Sequence, residues 1–517
     1  MSDRSNQLLL LLSQDEPTIE QALREPAQFE WLRAADELEL TTIMLALKHA
    51  GQQVSGAKRR ILDRVINLIS VRLREDAEVP TEFAEDVSQL YQSWGSDSPL
   101  RHLLLQWLTL IGTVEALELF AELIASDPPT TTSAAAVGFV PLLQQHDYNS
   151  DALYPRLFDG LQHLSVAVLI LDLSNYLFRT GRIDPHPAGG KSEPMIELLG
   201  GIIQRLGTLE EKRDETTPEE LAGLRTQVSE GVALAVGLCD ALASINEKKA
   251  IGKLYQAMEL SHRQLRCEAA AALGRLGEEK GKEKLVELAQ YPVSRLRVLN
   301  FAEELGCLDM IDPKFSSEEA KCEAELALWL SQDSQFGMPP QEIQLVDTRE
   351  LLWPGFEEPQ QCYLFHYAYH MPQGIFKSLG IVGPITHSFA VDLTPLSYED
   401  AYAAYAGWQT EHQDIHESEP SQWEEAQKQM AENFQARLAA EEITLIQPVK
   451  LGYFFGDVRL VAVVKQANEP GTAIVDLRTI TFIPGGQTNR PIGPNEAYHI
   501  HKGRELLLNF NPNTYGV

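Results

Sequence analysis

A short pattern returns three times in this 517-residue chain and constrains its fold more than any other feature. Leu100-Arg101 leads through apolar residues to Ile111-Gly112, Leu265-Arg266 to Leu276-Gly277, and Ser294-Arg295 to Leu305-Gly306. Each arginine stands ten residues before an apolar residue that is followed by glycine. Recurrence of this kind marks helical units that stack on one another. In the clearest copy, Arg266 and Glu268 alternate with the alanines 269–272 and Leu273, and Leu276 completes an apolar face at helical spacing. Alanine on that face admits a close neighbour, and Gly277 supplies the positive φ that ends the helix. A second helix is expected over 282–289, broken by Pro292, where the next copy begins after a shift of 29 residues. In the earlier copy Leu103, Leu104, Trp107, Leu108 and Ile111 share a face, Gly112 stops the helix, and 114–124 makes its partner. The stretch 232–245 followed by 250–260 has the same helix–turn–helix length, with Asn246 in place of glycine.

The Leu-Arg…Leu-Gly spacing and the alanine-rich first helix of 265–277 resemble HEAT-like repeats, especially the short type first named from phycobilin lyases. The resemblance implies an α solenoid whose ridge or concave face binds other macromolecules. A few members of that class modify protein-bound chromophores. Extended by pattern, it gives a HEAT-like helical repeat domain over 1–335, with loops near 180–194 and 207–219. Three prolines and three glycines mark the first loop, and charged residues the second. Thr217 before Pro218 reads as a helix N-cap, with Glu219 and Glu220 in the first turn.

After residue 335 the pattern changes. Gly337-Met338-Pro339-Pro340 is a break, and 343–353, 361–370, 375–382 and 386–393 read as strands. Two acidic helices are expected near 398–417 and 422–442, then strands at 449–455, 460–465, 473–483 and 497–501. This is a smaller α+β domain over 340–517 with an acidic helical segment near 398–442.

Composition limits function. The net charge of −31, from 74 acidic and 43 basic residues, repels phosphate backbones and favours a basic protein partner over nucleic acid. The five cysteines, 239, 267, 307, 322 and 362, contain no CxxC and fit reduced thiols in a cytoplasmic protein. The leucines 8–12 are one face of a first helix, and no stretch approaches a membrane span.

His412 and His416 stand four apart, as zinc ligands do on a helix, but Gln413 replaces the glutamate a zincin protease uses as base. Metal binding there stays open. His366 and His370 share a strand face about 13 Å apart, too far for one ion, and strand spacing also separates Cys362 from His366. His499 and His501 lack a local carboxylate or cysteine. The glycine loops at 380–384 and 484–487 lack GxGxxG and the P-loop lysine, and there is no GxSxG elbow. Between 409 and 443, nine acidic residues face only Lys428 and Arg437, with Trp423 and Phe434 interspersed and Trp408 just before them. Such a segment either docks a basic partner or packs its aromatics onto the sheet. The expected function is a non-enzymatic scaffold or adaptor binding proteins through a helical-repeat surface, with no cofactor. The alternative is an enzyme or protein-modifying factor, its site formed by His387, Asp392, His499 and His501 in the C-terminal domain.

Overall fold

Leucine and alanine at helical spacing, punctuated by caps, dictate the first part of the chain. The computed structural model describes residues 3–508, apart from 13, 51–55, 76–78, 81, 96–99, 146, 213–217, 373 and 487–489. The chain divides into two compact units, Met1–Lys284 and Leu285–Val517. The first holds α1 (Asp3–Leu12), α2 (Glu16–Leu23), α3 (Glu37–Ala50), α4 (Gly56–Arg74), α5 (Phe83–Ser93), α6 (Arg101–Ile111) and α7 (Val114–Ser126). It continues with α8 (Thr132–Gln144), α9 (Leu164–Arg179), α10 (Ser192–Lys212), α11 (Pro218–Ser244), α12 (Ile251–Glu259) and α13 (Arg263–Arg275). Helix α14 (Glu279–Leu288) spans the division, and α15 (Pro292–Glu304), α16 (Pro313–Ser316) and α17 (Glu318–Leu330) belong to the second unit.

The repeated glycines do what their positions require. Gly112, Gly277 and Gly306 have φ of 66°, 88° and 64°, the left-handed conformation that ends a helix without a Cβ clash. Asn246 takes the same role at φ 54°. Thr113 and Thr131 cap α7 and α8 by accepting from Ala116 N and Ala134 N. Helix α13 is buried around its whole circumference from Cys267 to Gly274, not along one face. Gly281 sits against it so closely that a Cβ would lie 2.5 Å from Ala270 O.

Two of the repeated arginines are buried locks. Arg101 donates from Nε to Tyr91 O at 2.8 Å, covers the Tyr91 ring at 3.9 Å and pairs with Asp127 at the end of α7. Arg295 donates from Nε to Ala289 O at 2.9 Å and from Nη1 to Ala320 O at 2.8 Å, and pairs with Glu323 at 2.6 Å. Both are nearly buried, their side chains 6% and 3% exposed. Each ties the carbonyl end of the preceding segment to a carboxylate further along the chain, Asp127 at the C-cap of α7 and Glu323 on α17. Arg266 is half-buried.

In the second unit β1 (Glu342–Leu351), β2 (Gln360–Met371), β3 (Gly374–Val382) and β4 (His387–Ser388) form one antiparallel sheet in chain order. Then come α18 (Tyr398–Gln409), β5 (Ile415–Ser418), α19 (Glu425–Ala440), β6 (Thr444–Phe454), β7 (Asp457–Gln466), β8 (Glu469–Val475), β9 (Ile480–Pro484) and α20 (Pro494–Leu508). Strands β5 to β9 make a second antiparallel sheet, again in chain order. Alternation along each strand assigns its faces. Phe365, Tyr367 and Tyr369 pack on Leu326 and Leu330 of α17, whereas Cys362 and Leu364 share a core with α18, α20 and Val461, Ile474 and Ile483 of the second sheet. That sheet's other face, with Leu460, Ala462 and Val464, packs on Trp423, Phe434 and Leu438.

At four places the chain departs from the elements its sequence predicts. The 207–219 loop does not begin at 207, because α10 continues to Lys212, and Thr217 lies outside the described residues. Residues 473–483 are two strands, turned by Asp476, whose carboxylate accepts from Arg478 N and Thr479 N at 2.6 Å. The acidic helix ends at Gln409, and 415–418 is strand, because Ile415 to Ser418 pair with Phe454 to Leu451 of β6. Residues 497–501 are helical, because Gly493 and Pro494 open α20 and Glu496 accepts from Gly493 N at 3.1 Å.

Candidate functional site

A glycine in the middle of a strand leaves a gap, and here the gap organises a charged cluster. Glu417 of β5, Gly452 of β6 and Arg459 of β7 are cross-strand partners and so lie in one row on one face. Lys450 lies on the same face, opposite Val461. Helix α20 presents Tyr498, His501, Lys502 and Glu505 at helical i, i+3, i+4 and i+7 spacing. The Tyr498 ring occupies the place where a side chain at Gly452 would stand, since a Cβ there would lie 2.3 Å from Tyr498 Oη. Lys450 Nζ and Lys502 Nζ lie 5.3 and 5.9 Å from the centroid of that ring. Lys450 pairs with Glu417, Arg459 lies 3.6 Å from Glu505, and its guanidinium covers Phe454 at 4.9 Å.

Lys450, Arg459, His501 and Lys502 are each buried, with at most 6% exposed. Burying charge in this way is costly unless it is paired and hydrogen-bonded. Yet Arg459 Nε and Nη1, Tyr498 Oη, His499 Nδ1 and His501 Nε2 are buried with no hydrogen-bond partner among the described residues. Burial lowers the Lys502 ammonium below the usual lysine range, against the pull of Glu417 and with the push of Lys450. Burial likewise raises the Tyr498 phenol, with Glu417 adding to it. His499 falls to about 3, through burial and then Lys502 and Lys450, and His501 to about 4, through burial and then Arg459.

The residues singled out in the sequence are distributed differently. His412 precedes β5 and accepts from Asp414 N at Nδ1, 3.1 Å away. His416 is on β5 and stacks on Tyr453 at 4.5 Å, so the two do not share a helix face. Among the described residues no group of three or more His, Cys, Asp or Glu is placed to hold a metal ion. His387 stacks on Trp408 at 3.9 Å and meets Phe389 edge-on at 5.1 Å, and His499 lies 6.2 Å from the same Phe389. Asp392 instead accepts from Thr394 N and Oγ1 at 2.9 and 2.5 Å, and His501 is buried on the Arg459 side of α20. The four therefore do not converge. His370 Nε2 meets Glu342 at 2.9 Å on the exposed end of β2. Burial pushes the Cys362 thiol up to about 12, leaving no thiolate at neutral pH. Of the aromatics in the acidic segment, Trp423 and Phe434 are in the core against the second sheet, and Trp408 is 42% exposed.

The cationic cluster was missed in the sequence because its members come from three elements with no shared motif. One signal was present: Arg459 and Lys450 interrupt apolar strands at inward positions.

Neutral burial of histidine makes the fold acid-sensitive. His186, which meets Asn175 Oδ1 at 3.0 Å, falls to about 4 through burial, as His501 does. An unfolded histidine takes up a proton below about pH 6.5, which the buried form refuses until about pH 4. The folded value is the lower one, so the stability present at pH 7 is lost as the pH falls through this window. At pH 5 each of the two contributes a loss of roughly 2 kcal/mol. Urea unfolding followed by tryptophan fluorescence is expected to show a clearly lower midpoint at pH 5 than at pH 7. Equal midpoints would contradict neutral burial.

Compared with known protein families, curated proteins and solved structures, the chain shows no match.

Proposed function

We propose that this protein is a non-enzymatic adaptor of the cytoplasm that binds a basic protein partner through a HEAT-like helical-repeat surface. The carrying observation is the arginine lock. Arg101 and Arg295, far apart in the chain, each join a preceding carbonyl to a following carboxylate from the first turn of a helix that is followed by a left-handed glycine. A unit that reuses one joint in this way supports a repeat reading, and repeats of this class serve as extended binding faces. The net charge of −31 supports a basic partner. Leu38 and Leu45 lie two turns apart on α3 and are 57% and 50% exposed, an apolar element within that face. Among the described residues no helix is long and apolar enough to cross a membrane.

The test is affinity capture with the full chain and with a Leu38→Asp/Leu45→Asp double variant. The proposal expects a partner of basic composition, released by salt and at least tenfold depleted by the variant. Absence of a stable partner, combined with turnover of a small molecule by the purified chain, would overturn it. A second reading, an enzyme or protein-modifying factor with its site in the C-terminal domain, is favoured by the unpartnered donors of Arg459 and Tyr498.

A further inference from the structure

Of the aromatics at the acidic segment, Trp423 and Phe434 are buried against the second sheet, and Trp408 stays 42% exposed. Three elements of the second unit meet beside it. His387 of β4 stacks on the Trp408 indole of α18 with ring planes 10° apart, and Trp329 of α17 meets the same imidazole edge-on, centroids 5.2 Å apart. Phe389 and Tyr405, both in the core, stack on each other at 4.9 Å, and Phe389 meets Trp408 edge-on at 6.1 Å. Packing therefore fixes the indoles in place. Glu325 stands one turn before Trp329 on α17, so the two share a side of the helix. Its carboxylate accepts from Thr386 Oγ1 and, among the described residues, pairs with no cation. Elsewhere in this unit cations cover aromatic rings: Arg349 lies over Tyr402, Arg459 over Phe454 and Arg490 over Phe376. Among the described residues none covers an indole, although tryptophan is the strongest partner of this kind. Burial lowers His387 to about 4, so its imidazole adds no positive charge at pH 7.

We propose that the surface formed by Glu325, Trp329 and Trp408 docks an arginine side chain of a basic protein partner. A guanidinium is planar, stacks on an indole face and donates to a carboxylate from a fixed fork. Two indoles beside a carboxylate without a cation offer both halves of that recognition. The surrounding charge agrees with it. Glu318 and Glu319 open α17, and Glu411 and Asp414 follow Trp408 at exposed positions. Leu328, next to Trp329 in the chain and 39% exposed, adds an apolar contact for the stem of the incoming side chain. This surface belongs to the second unit, whereas Leu38 and Leu45 belong to the first. The inference goes beyond the adaptor reading, since a basic partner held by the first unit alone would leave this surface unused.

The experiment is calorimetric titration of the full chain at constant ionic strength with tetra-arginine amide and, separately, with tetralysine amide. The two carry equal charge, so general attraction to an acidic chain takes up both alike, and only stacking and the planar fork favour arginine. Saturable binding of tetra-arginine, about fivefold tighter than that of tetralysine, is expected. Trp408→Ala is expected to weaken tetra-arginine binding about fivefold and to leave tetralysine nearly unchanged. Glu325→Gln keeps an acceptor for Thr386 and is expected to weaken tetra-arginine about threefold. Glu197→Gln, an equal loss of charge on α10, leaves it unchanged. Should Trp408→Ala fail to fold, the two glutamate variants carry the comparison. Equal affinity for the two peptides, no saturable binding, or equal effects of the two glutamate variants would overturn the proposal. So would dimerisation of the full chain in sedimentation that Trp408→Ala abolishes, since the surface would then serve a second copy. None of these outcomes alters the capture result with Leu38→Asp/Leu45→Asp, so the two readings fall separately.

Discussion

Arg295→Ala is expected to destabilise the second unit by about 3–5 kcal/mol, because it strands buried carbonyls and a carboxylate that is only 25% exposed. Arg101→Ala is expected to destabilise the first by less, about 1–3 kcal/mol, because Asp127 is 52% exposed and the main loss is the donor to the buried Tyr91 carbonyl. The magnitude follows from burial. An exposed ion pair contributes on the order of 1 kcal/mol or less, but these side chains are 3% and 6% exposed. Removing Arg295 leaves Ala289 O, Ala320 O and Glu323 without their donor, and removing Arg101 leaves Tyr91 O and Asp127. Lysine recovers only part of the loss, since an ammonium cannot reach both carbonyl and carboxylate with a fixed fork. Denaturant unfolding of the two alanine variants checks this. A change below about 1 kcal/mol would place the arginines among ordinary surface pairs.

Gly503→Ala is expected to be still more damaging to the C-terminal domain. Helices α18 and α20 cross at glycines, and a Cβ on Gly503 would lie 1.7 Å from Ala403 O, with Ala403 C at 2.5 Å. The obstruction is backbone, so no side chain can swing aside. Gly407 is the reciprocal case, where a Cβ would lie 2.0 Å from His499 O. Relief requires the helices to separate, opening the core that holds Ala401, Tyr405, Tyr498 and Ile500. Overpacking of a rigid core costs about 1–3 kcal/mol and more where nothing can yield. The expected loss here exceeds 3 kcal/mol on the same scale. Gly201→Ala is the control. It lies in α10 with no atom within 4 Å of its Cβ position, and alanine there is expected to stabilise by about 0.5–1 kcal/mol. Thermal unfolding of the two variants should therefore shift in opposite directions. Equal melting temperatures would contradict the close helix crossing.

What was legible in the chain was local and periodic. Helix ends marked by Gly112, Asn246, Gly277 and Gly306, and strands marked by Tyr363, Phe365, Tyr367 and Tyr369 or by the valines of β7, were readable because each residue's own conformational preference agrees with its place. The misreadings share a cause. Acidic residues at 411–419 suited a helix, but Ile415 to Ser418 had a partner in β6, and tertiary pairing prevailed over local pattern. The histidines at 499 and 501 alternate as in a strand, yet Pro494 and Glu496 opened a helix whose other face needed the glycine contact with α18. The cationic cluster was illegible for a different reason. It exists only where the register of β5, β6 and β7 sets Glu417, Gly452 and Arg459 in line beneath Tyr498, and register is not written in any one segment.

The adaptor reading is tested most directly by amide hydrogen exchange on the full chain, with and without the protein recovered by capture. It predicts new protection along the helices of residues 3–330, including the outward turns of α3 around Leu38 and Leu45. Protection confined to β5–β9 and α20, with the helices unchanged, would contradict it.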